Sequence, residues 1–154
     1  MNRALLIIAC SQRKAAGHAA AAAWDVYDGV IYRVLKKRLG TRNAWPAWLD
    51  VLIVSAKYGV IRPERRIRPY DQTMPSVGRP RRLAGALRRL VAGHDYRFIH
   101  VNLGRAYQKA IGDVSALFPN ARVTTAAGGI GERAAQTGAW IKARLRRSRT
   151  TRPS

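Results

Sequence analysis

The stretch PYDQT, residues 69–73, contains an acidic residue, Asp71, in a strongly basic chain. The whole chain has 8 Asp plus Glu against 29 Lys plus Arg, and a carboxylate among so many cations stays ionised. Asp71 can therefore position a water molecule or bind the exocyclic amine of a base, while Tyr70 can stack on the base. The alternative is that Asp71 and Thr73 only cap a turn. The length of the surrounding loop favours a functional interpretation.

A second stretch, CSQRK at residues 10–14, places a thiol and a hydroxyl before two cations. Cys10, Ser11, Arg13 and Lys14 could bind a phosphate or polarise a carbonyl, and Lys14 could act as a nucleophile if desolvation lowered its pKa. The alternative is a core cysteine beside solvated charges. No histidine follows nearby in the sequence, which disfavours a hydrolase built on Cys and His.

Two further stretches have the same character. SAKYG supplies Ser55, Lys57 and Tyr58, although a simple turn closed by glycine would explain it as well. GGIGE, which contains Gly129 and Glu132, lets a backbone approach a ligand and offers helix amides to an anion. It matches neither the GxGxxG nor the GxxxxGK[ST] pattern, and no histidine and carboxylate cluster has metal spacing. We therefore expect no nucleotide cofactor and no metal.

The elements that must position these residues alternate along the chain. Apolar runs predict strands at residues 3–10, 48–56, 96–102 and 121–126, and helical spacing predicts helices at 25–39, 80–93, 103–118 and 129–147, with a long proline-rich loop over 59–80. This alternation predicts an α/β three-layer sandwich with an about four-stranded, mostly parallel sheet. The four stretches that follow the strands would meet at the carboxyl ends of the strands, where such sheets form their sites.

Composition restricts the partners. The net charge of +21 favours a polyanion, and three basic helical stretches, YRVLKKRL, PRRLAGALRRL and IKARLRRSR, would form a phosphate-tracking surface. No apolar run is long enough to span a bilayer, so we expect no membrane partner and a cytoplasmic location. The single cysteine excludes an internal disulfide framework. Residues 1–146 read as one domain, and 147–154 as a basic, disordered tail.

Together these motifs resemble a family of small bacterial and phage proteins of unassigned function. The resemblance rests on Cys-Ser-x-Arg-Lys at 10–14, Tyr27-x-Gly29-x-x-Tyr32, Ser-Ala-Lys-Tyr-Gly at 55–59 and Pro-Tyr-Asp-x-Thr-Met at 69–74, and it covers about residues 4–142. Ala9 stands where relatives often have proline. The first of these loops is also similar to one in archaeosine synthase and in the accessory domain of archaeal tRNA-guanine transglycosylases, which implies a uracil-DNA-glycosylase-like fold and nucleobase chemistry.

The leading hypothesis is an enzyme that binds DNA or RNA, flips out a base and cleaves its N-glycosidic bond as a glycosylase-like hydrolase. The alternatives are a non-catalytic DNA- or RNA-binding module, and an enzyme on free nucleosides or nucleotides. The expected catalytic residues are Asp71, Lys14 and Lys57, and the expected substrate-binding residues are Cys10, Ser11, Arg13, Tyr27, Tyr32, Ser55, Tyr58, Tyr70, Thr73, Gly104, Tyr107, Gly129 and Glu132.

Overall fold

The computed structural model describes residues 3–11, 14, 19–69 and 80–150. Its strands are β1 (Ala4–Ala9), β2 (Ala21–Ala22), β3 (Leu49–Ser55), β4 (Gly59–Ile61), β5 (Arg66–Ile67), β6 (Phe98–Asn102) and β7 (Arg122–Thr125). Its helices are α1 (Ala23–Val26), α2 (Val30–Leu39), α3 (Pro80–Val91), α4 (Arg105–Ile111), α5 (Val114–Leu117) and α6 (Ile130–Thr150), with one 3-10 turn at Arg42–Ala44.

The central sheet has five strands in the order β4-β3-β1-β6-β7, and only β4 runs antiparallel to its neighbour. β1 lies in the middle, covered on both faces, which explains its unbroken apolar sequence. Alternate residues of β1 enter opposite cores: Leu6 and Ile8 pack on one side of the sheet, Leu5 and Ile7 on the other.

Helices cover both faces and complete three layers. On one face α1, α2 and α6 pack in the core that contains Leu6, and on the other face α3, α4 and α5 pack in the core that contains Leu5. α2 and α6 cross closely at Gly138, where an added Cβ would lie only 2.9 Å from Cγ1 of Val34. The three-layer α/β architecture predicted from the alternation of elements is confirmed.

The order of the strands creates a topological switch point. From β1 the chain crosses to β3 on one side, and from β6 it crosses to β7 on the other. The connections leaving β1 and β6 therefore diverge, and open α/β sheets bind their ligands outside the carboxyl ends of two such strands. We call this region of the molecule the crevice. Cys10 follows β1 and Leu103 follows β6, so both border that crevice.

Several local expectations were wrong. The loop predicted for residues 59–80 contains β4, which forms a hairpin with β3, and β5, which pairs with β2, because short strands of two or three residues leave no visible period. The helix predicted for 103–118 is interrupted at Gly112, whose φ of 78° ends α4. The last helix, in contrast, continues to Thr150, since nothing after Gly138 breaks it.

The helix predicted for 25–39 is also divided. Tyr27 has an extended backbone and pairs as an isolated bridge with Lys14, so α1 ends there and α2 begins at Val30. Among the described residues, no helix is long and apolar enough to cross a membrane.

Candidate functional site

Two layers of the sandwich meet at the crevice between β1 and β6. Cys10 lies at the end of β1 and Tyr107 projects from α4, and the Cys10 Sγ and Tyr107 Oη atoms are 3.2 Å apart. Next to them, the Tyr27 hydroxyl donates to Ser55 Oγ over 3.3 Å. We call Cys10, Tyr27, Ser55 and Tyr107 the tyrosine cluster. It collects side chains from α4, from the α1–α2 junction and from the carboxyl ends of β1 and β3.

Ser55 holds the turn that follows β3. Its side-chain oxygen accepts hydrogen bonds from the backbone N–H groups of Lys57, at 3.3 Å, and Tyr58, at 3.1 Å. The residue is fully buried. The turn interpretation of SAKYG is therefore correct for the backbone, and the same turn places the side chains of Lys57 and Tyr58 at the rim of the crevice.

The Tyr107 hydroxyl stays protonated. Burial is the main cause that raises its pKa above the ordinary value for tyrosine, and the hydrogen bond to Cys10 and the nearby Tyr27 raise it further. A phenol of this kind can exchange hydrogen bonds with a ligand or with the thiol, but it cannot serve as a general base near neutral pH.

The α1–α2 junction positions the first loop. Ser11 Oγ accepts a hydrogen bond from the backbone N–H of Asp28 at 3.2 Å, and an added Cβ at Gly29 would lie 2.7 Å from Ser11 Cβ. Only glycine fits this approach. One turn later, the Tyr32 hydroxyl donates to the carbonyl of Ala9 over 2.7 Å. The spacing Tyr27-x-Gly29-x-x-Tyr32 thus follows from the need to hold the end of β1.

Burial separates the predicted site residues into two groups. Tyr27, Tyr32 and Ser55 have no exposed surface, so they support the crevice and cannot touch a ligand in this conformation. Lys57 is exposed and Tyr58 is partly exposed. The Lys57 ammonium lies 5.4 Å and the Arg65 guanidinium 5.5 Å from the centroid of the Tyr58 ring, which makes a cationic, aromatic rim.

Four predicted site residues, Arg13, Tyr70, Asp71 and Thr73, lie outside the described residues. The described chain shows where their segment is attached. On one side, Ile67 of β5 pairs with Ala21 of β2. On the other side α3 begins at Pro80, and Leu83 lies 4.0 Å from a Cβ built on Gly59, at the end of the turn held by Ser55. α3 therefore starts beside the carboxyl edge of the sheet.

Gly104, Gly129 and Glu132 have other surroundings. Gly104 is the N-cap of α4, and nothing lies within 4 Å of a Cβ built on it. Gly129 precedes α6, and the Glu132 carboxylate folds back against Gly128, whose φ is 98°. Both residues follow β7, the edge strand beyond β6, so the strand order separates them from the loops after β1 and β3.

Sequence reasoning missed a second buried polar group, between β6, β7 and α6. His100 Nδ1 lies 2.7 Å from Thr124 Oγ1, and His100 Nε2 lies 2.9 Å from Thr137 Oγ1. Asn102 donates to Thr137 Oγ1 over 2.9 Å and accepts from Arg133 over 3.3 Å. We call His100, Asn102, Thr124, Arg133 and Thr137 the histidine cluster. The signal was available: His100 and Asn102 are two apart in a buried strand, so they share a face and both need polar partners.

His100 is neutral in this environment. Its ring stacks on Trp140 with centroids 5.3 Å apart, and burial lowers its pKa from 6.5 to about 4. Among the residues that the structure describes, no three or more His, Cys, Asp or Glu side chains are grouped so as to hold a metal ion.

Comparison with known proteins gives one family. The sequence profile of a family of unknown function (DUF6884) matches residues 5–139, which include the described parts of both clusters. No curated protein and no solved structure matches the chain.

Proposed function

The chain belongs to the DUF6884 family of unknown function, and we propose, from its own residues, that it is a nucleic-acid-binding enzyme that acts on a nucleobase. The reaction is cleavage of an N-glycosidic bond, with the base flipped from its strand into the crevice between β1 and β6. The protein works in the cytoplasm and needs no cofactor.

One observation carries this proposal. Loops from both layers converge at the topological switch point, where Tyr107 of α4 reaches Cys10 after β1 and the Ser55 turn presents Lys57 and Tyr58. Ligands of open parallel sheets bind at such points. The exposed groups at this one are cationic and aromatic, which suits a phosphate next to a planar base.

Each exposed group has a role in binding. The Tyr58 ring stacks on the base after one of its two cations, Lys57 or Arg65, moves to a backbone phosphate. The Cys10–Tyr107 pair lies at the bottom of the crevice and exchanges hydrogen bonds with the edge of the base. Lys14, whose backbone is paired with Tyr27, contributes a cation to the same rim.

The reaction consumes one water molecule. The bond between C1′ of the sugar and the base nitrogen breaks, and its electron pair leaves with the base. Asp71 orients the water and stabilises the cationic sugar; the water oxygen bonds to C1′ and the released proton ends on the base. Lys14 and Lys57 stabilise the departing base while it carries negative charge.

A resemblance in sequence favours the same class of substrate. We propose a uracil-DNA-glycosylase-like arrangement, in line with the similarity of the Cys-Ser-x-x-Lys loop, at residues 10–14, to archaeosine synthase and archaeal tRNA-guanine transglycosylases. In this chain Lys14 is followed by Ala15, which departs from the archaeosine synthase motif, so the proposal covers cleavage and not the addition of lysine.

The test is a product screen with matched variants. Genomic DNA and total tRNA are incubated with the wild type, with Asp71→Asn and with Asp95→Asn, and released bases are measured by mass spectrometry. Asp95 is an exposed carboxylate outside the crevice, so its variant controls for charge. We expect base release by the wild type and Asp95→Asn, and a loss of at least about 100-fold in Asp71→Asn. No release from any substrate, or equal release by all three proteins, would contradict the proposal.

A non-catalytic nucleic-acid-binding module is the second candidate. It is favoured by α2 and α3, which carry several arginines and lysines and no acidic residue. Such a module would bind oligonucleotides with a steep dependence on salt. It would bind them as tightly, or more tightly, after Asp71→Asn, and would release no base.

A further inference from the structure

A cleft at the amino ends of β6 and β7 is lined by arginines. This is the end of the sheet opposite to the tyrosine cluster. Phe98 and Arg122 are paired at the first positions of β6 and β7, and the backbone N–H of Arg122 donates to the carbonyl of Arg97 over 2.8 Å. With Asn120 and Arg147 they enclose an open cleft of about 280 Å³. We call these five residues and Arg144, which lies over the Phe98 ring, the arginine cleft.

Arg144 is the unusual member. Its guanidinium carbon lies 3.9 Å from the centroid of the Phe98 ring. Its Nε and Nη1 atoms are buried and have no hydrogen-bond partner among the described residues. Burial is the main cause that lowers its pKa, and the neighbouring Arg147 and Arg122 lower it further. Two buried N–H donors without acceptors are costly to a fold. Like charges held close to them add to that cost.

Among the residues that the structure describes, no acidic side chain lines the cleft. The arginines of the last turns of α6 do complement the negative end of the helix dipole. That effect explains exposed side chains such as Arg149, but it does not explain a guanidinium packed on a ring with its donors unmet.

We propose that the arginine cleft binds a phosphate group. Guanidinium groups donate to phosphate oxygens in pairs, the Asn120 amide adds a donor, and an anion in the cleft would relieve the repulsion among Arg122, Arg144 and Arg147. The site does not depend on the proposed function, because Phe98 and Asn102 are the two ends of β6 and lie about 13 Å apart along the strand.

The phosphate belongs to a polynucleotide backbone. The exposed side chains of Lys142, Arg146 and Arg149 continue the positive charge along α6 beside the cleft. A single free anion would occupy only the cleft, whereas a strand would contact the cleft and this row together. Free phosphate remains the other source of the same chemistry, and the experiment separates the two.

The first measurement is NMR of the arginine Nε–Hε groups in the full-length protein. Inorganic phosphate is titrated into the wild type and into a variant with Arg97→Gln and Arg122→Gln, both exposed positions whose change leaves the core intact. The Arg144 signal should shift and saturate in the wild type. In the variant, the apparent dissociation constant for phosphate should be at least about 5-fold higher. An Arg144 signal that does not respond to phosphate overturns the proposal.

The second measurement is the affinity for a labelled single-stranded oligonucleotide. The control carries Arg42→Gln and Arg105→Gln, two arginines outside the cleft and outside helices α2 and α3, so both variants lose two charges. We expect the cleft variant to bind about 10-fold more weakly and to lose about 2 from the slope of log affinity against log salt, while the control changes less than about 3-fold.

If the two variants lose oligonucleotide affinity equally, the phosphate that binds the cleft does not come from a polynucleotide, even where inorganic phosphate binds there. The result is also independent of the reaction. The product screen could detect no base release while the cleft variant binds the oligonucleotide more weakly than the control variant does. That result would refute the proposed function and support the arginine cleft.

Discussion

The tyrosine cluster and the histidine cluster are both buried polar groups of the same sheet, and they differ in whether they are closed. In the histidine cluster both ring nitrogens of His100 and both ends of the Asn102 amide have protein partners. In the tyrosine cluster the hydrogen bonds lead outward, from buried Ser55 to a turn that carries exposed Lys57, and from Tyr107 to a partly exposed thiol.

We interpret this difference as one between a structural role and the binding role proposed above. The buried centre of the histidine cluster, formed by His100, Asn102 and Thr137, makes α6 and β6 specific for each other. Its ring nitrogens and amide already have protein partners, so this centre gains nothing from a ligand. A network whose outer members reach solvent can exchange its partners for those of a ligand. Near the amino end of β3, a third polar group also has protein partners: Arg3 and Tyr96 both donate a hydrogen bond to Asp50 over 2.6 Å. Burial favours the protonated acid there, but these bonds keep the pKa of Asp50 below its ordinary value.

Removing the centre of the closed cluster should have the largest effect on stability. His100→Ala leaves the hydroxyls of Thr124 and Thr137 without the ring nitrogens and opens a cavity beside Trp140. We expect a loss of about 3 kcal/mol of unfolding free energy and a fall in Tm of about 6–12 °C. His94→Ala, at an exposed ring that stacks on Tyr96 at 6.0 Å, should cost less than about 1 kcal/mol. Equal losses in urea denaturation would show that the cluster is not structural.

The closed cluster should also make the fold acid-sensitive. The folded pKa of His100 is about 4 against 6.5 for the free side chain, so between these values the unfolded chain binds the extra proton. The stability is fully present above about pH 6.5 and falls as pH drops toward 4, by about 3 kcal/mol in total. Urea midpoints of the wild type at pH 7, 5.5 and 4.5 measure this. His100→Gln should have a flatter profile than the wild type, and an unchanged slope would assign the effect to other groups.

A smaller effect is expected where α6 crosses α2. Gly138→Ala would bring a Cβ to 2.9 Å from the stiff Val34 side chain, so the clash should exceed the gain in helix propensity and cost about 1 kcal/mol. Gly131→Ala, in the same helix with nothing within 4 Å, should instead stabilise by about 0.5–1 kcal/mol. Thermal unfolding of the two variants therefore moves in opposite directions. Two stabilising changes would mean that α2 and α6 are not in close contact there.

The open cluster should show its effect in binding and hardly at all in stability. Lys57→Gln removes an exposed cation of the rim, and we expect oligonucleotide affinity to fall about 3-fold to 10-fold with Tm unchanged. Lys37→Gln, an exposed lysine of α2, is the matched control and should change affinity less. Fluorescence anisotropy at one fixed salt concentration makes the comparison, and a larger loss in Lys37→Gln would move the binding surface away from the crevice.

The sequence predicted the layers better than it predicted the contacts. Long apolar runs such as Ala4–Ala9 and regular helical spacing come from burial on one or two faces, so the sandwich could be inferred from them. The two-residue strands β2 and β5 exist only because the chain returns beside itself, and no local pattern records that. The break at Tyr27 likewise depends on pairing with Lys14, which is distant in sequence.

The same limit applies to the candidate site. Strand ends predicted that four loops meet, and the structure joins two of them through Cys10 and Tyr107, 97 residues apart. The loop that carries Gly129 and Glu132 follows β7, the edge strand beyond β6. The spacing of Tyr27, Gly29 and Tyr32 was noticed as a motif, but only the tertiary structure shows that these residues are buried and hold the loop after β1. The histidine cluster and the arginine cleft join residues from β6, β7 and α6, and such long-range groupings have no signature in sequence spacing.

The central claim is that a nucleobase binds at the rim of the tyrosine cluster. It is tested most directly by photo-crosslinking an oligonucleotide that carries 4-thiothymidine and locating the adducts by mass spectrometry. The account predicts adducts on Lys57–Tyr58 and beside Cys10, with Tyr58→Leu reducing them. Adducts confined to the arginine cleft or to α6 would show that the base does not enter the crevice, and would contradict the account.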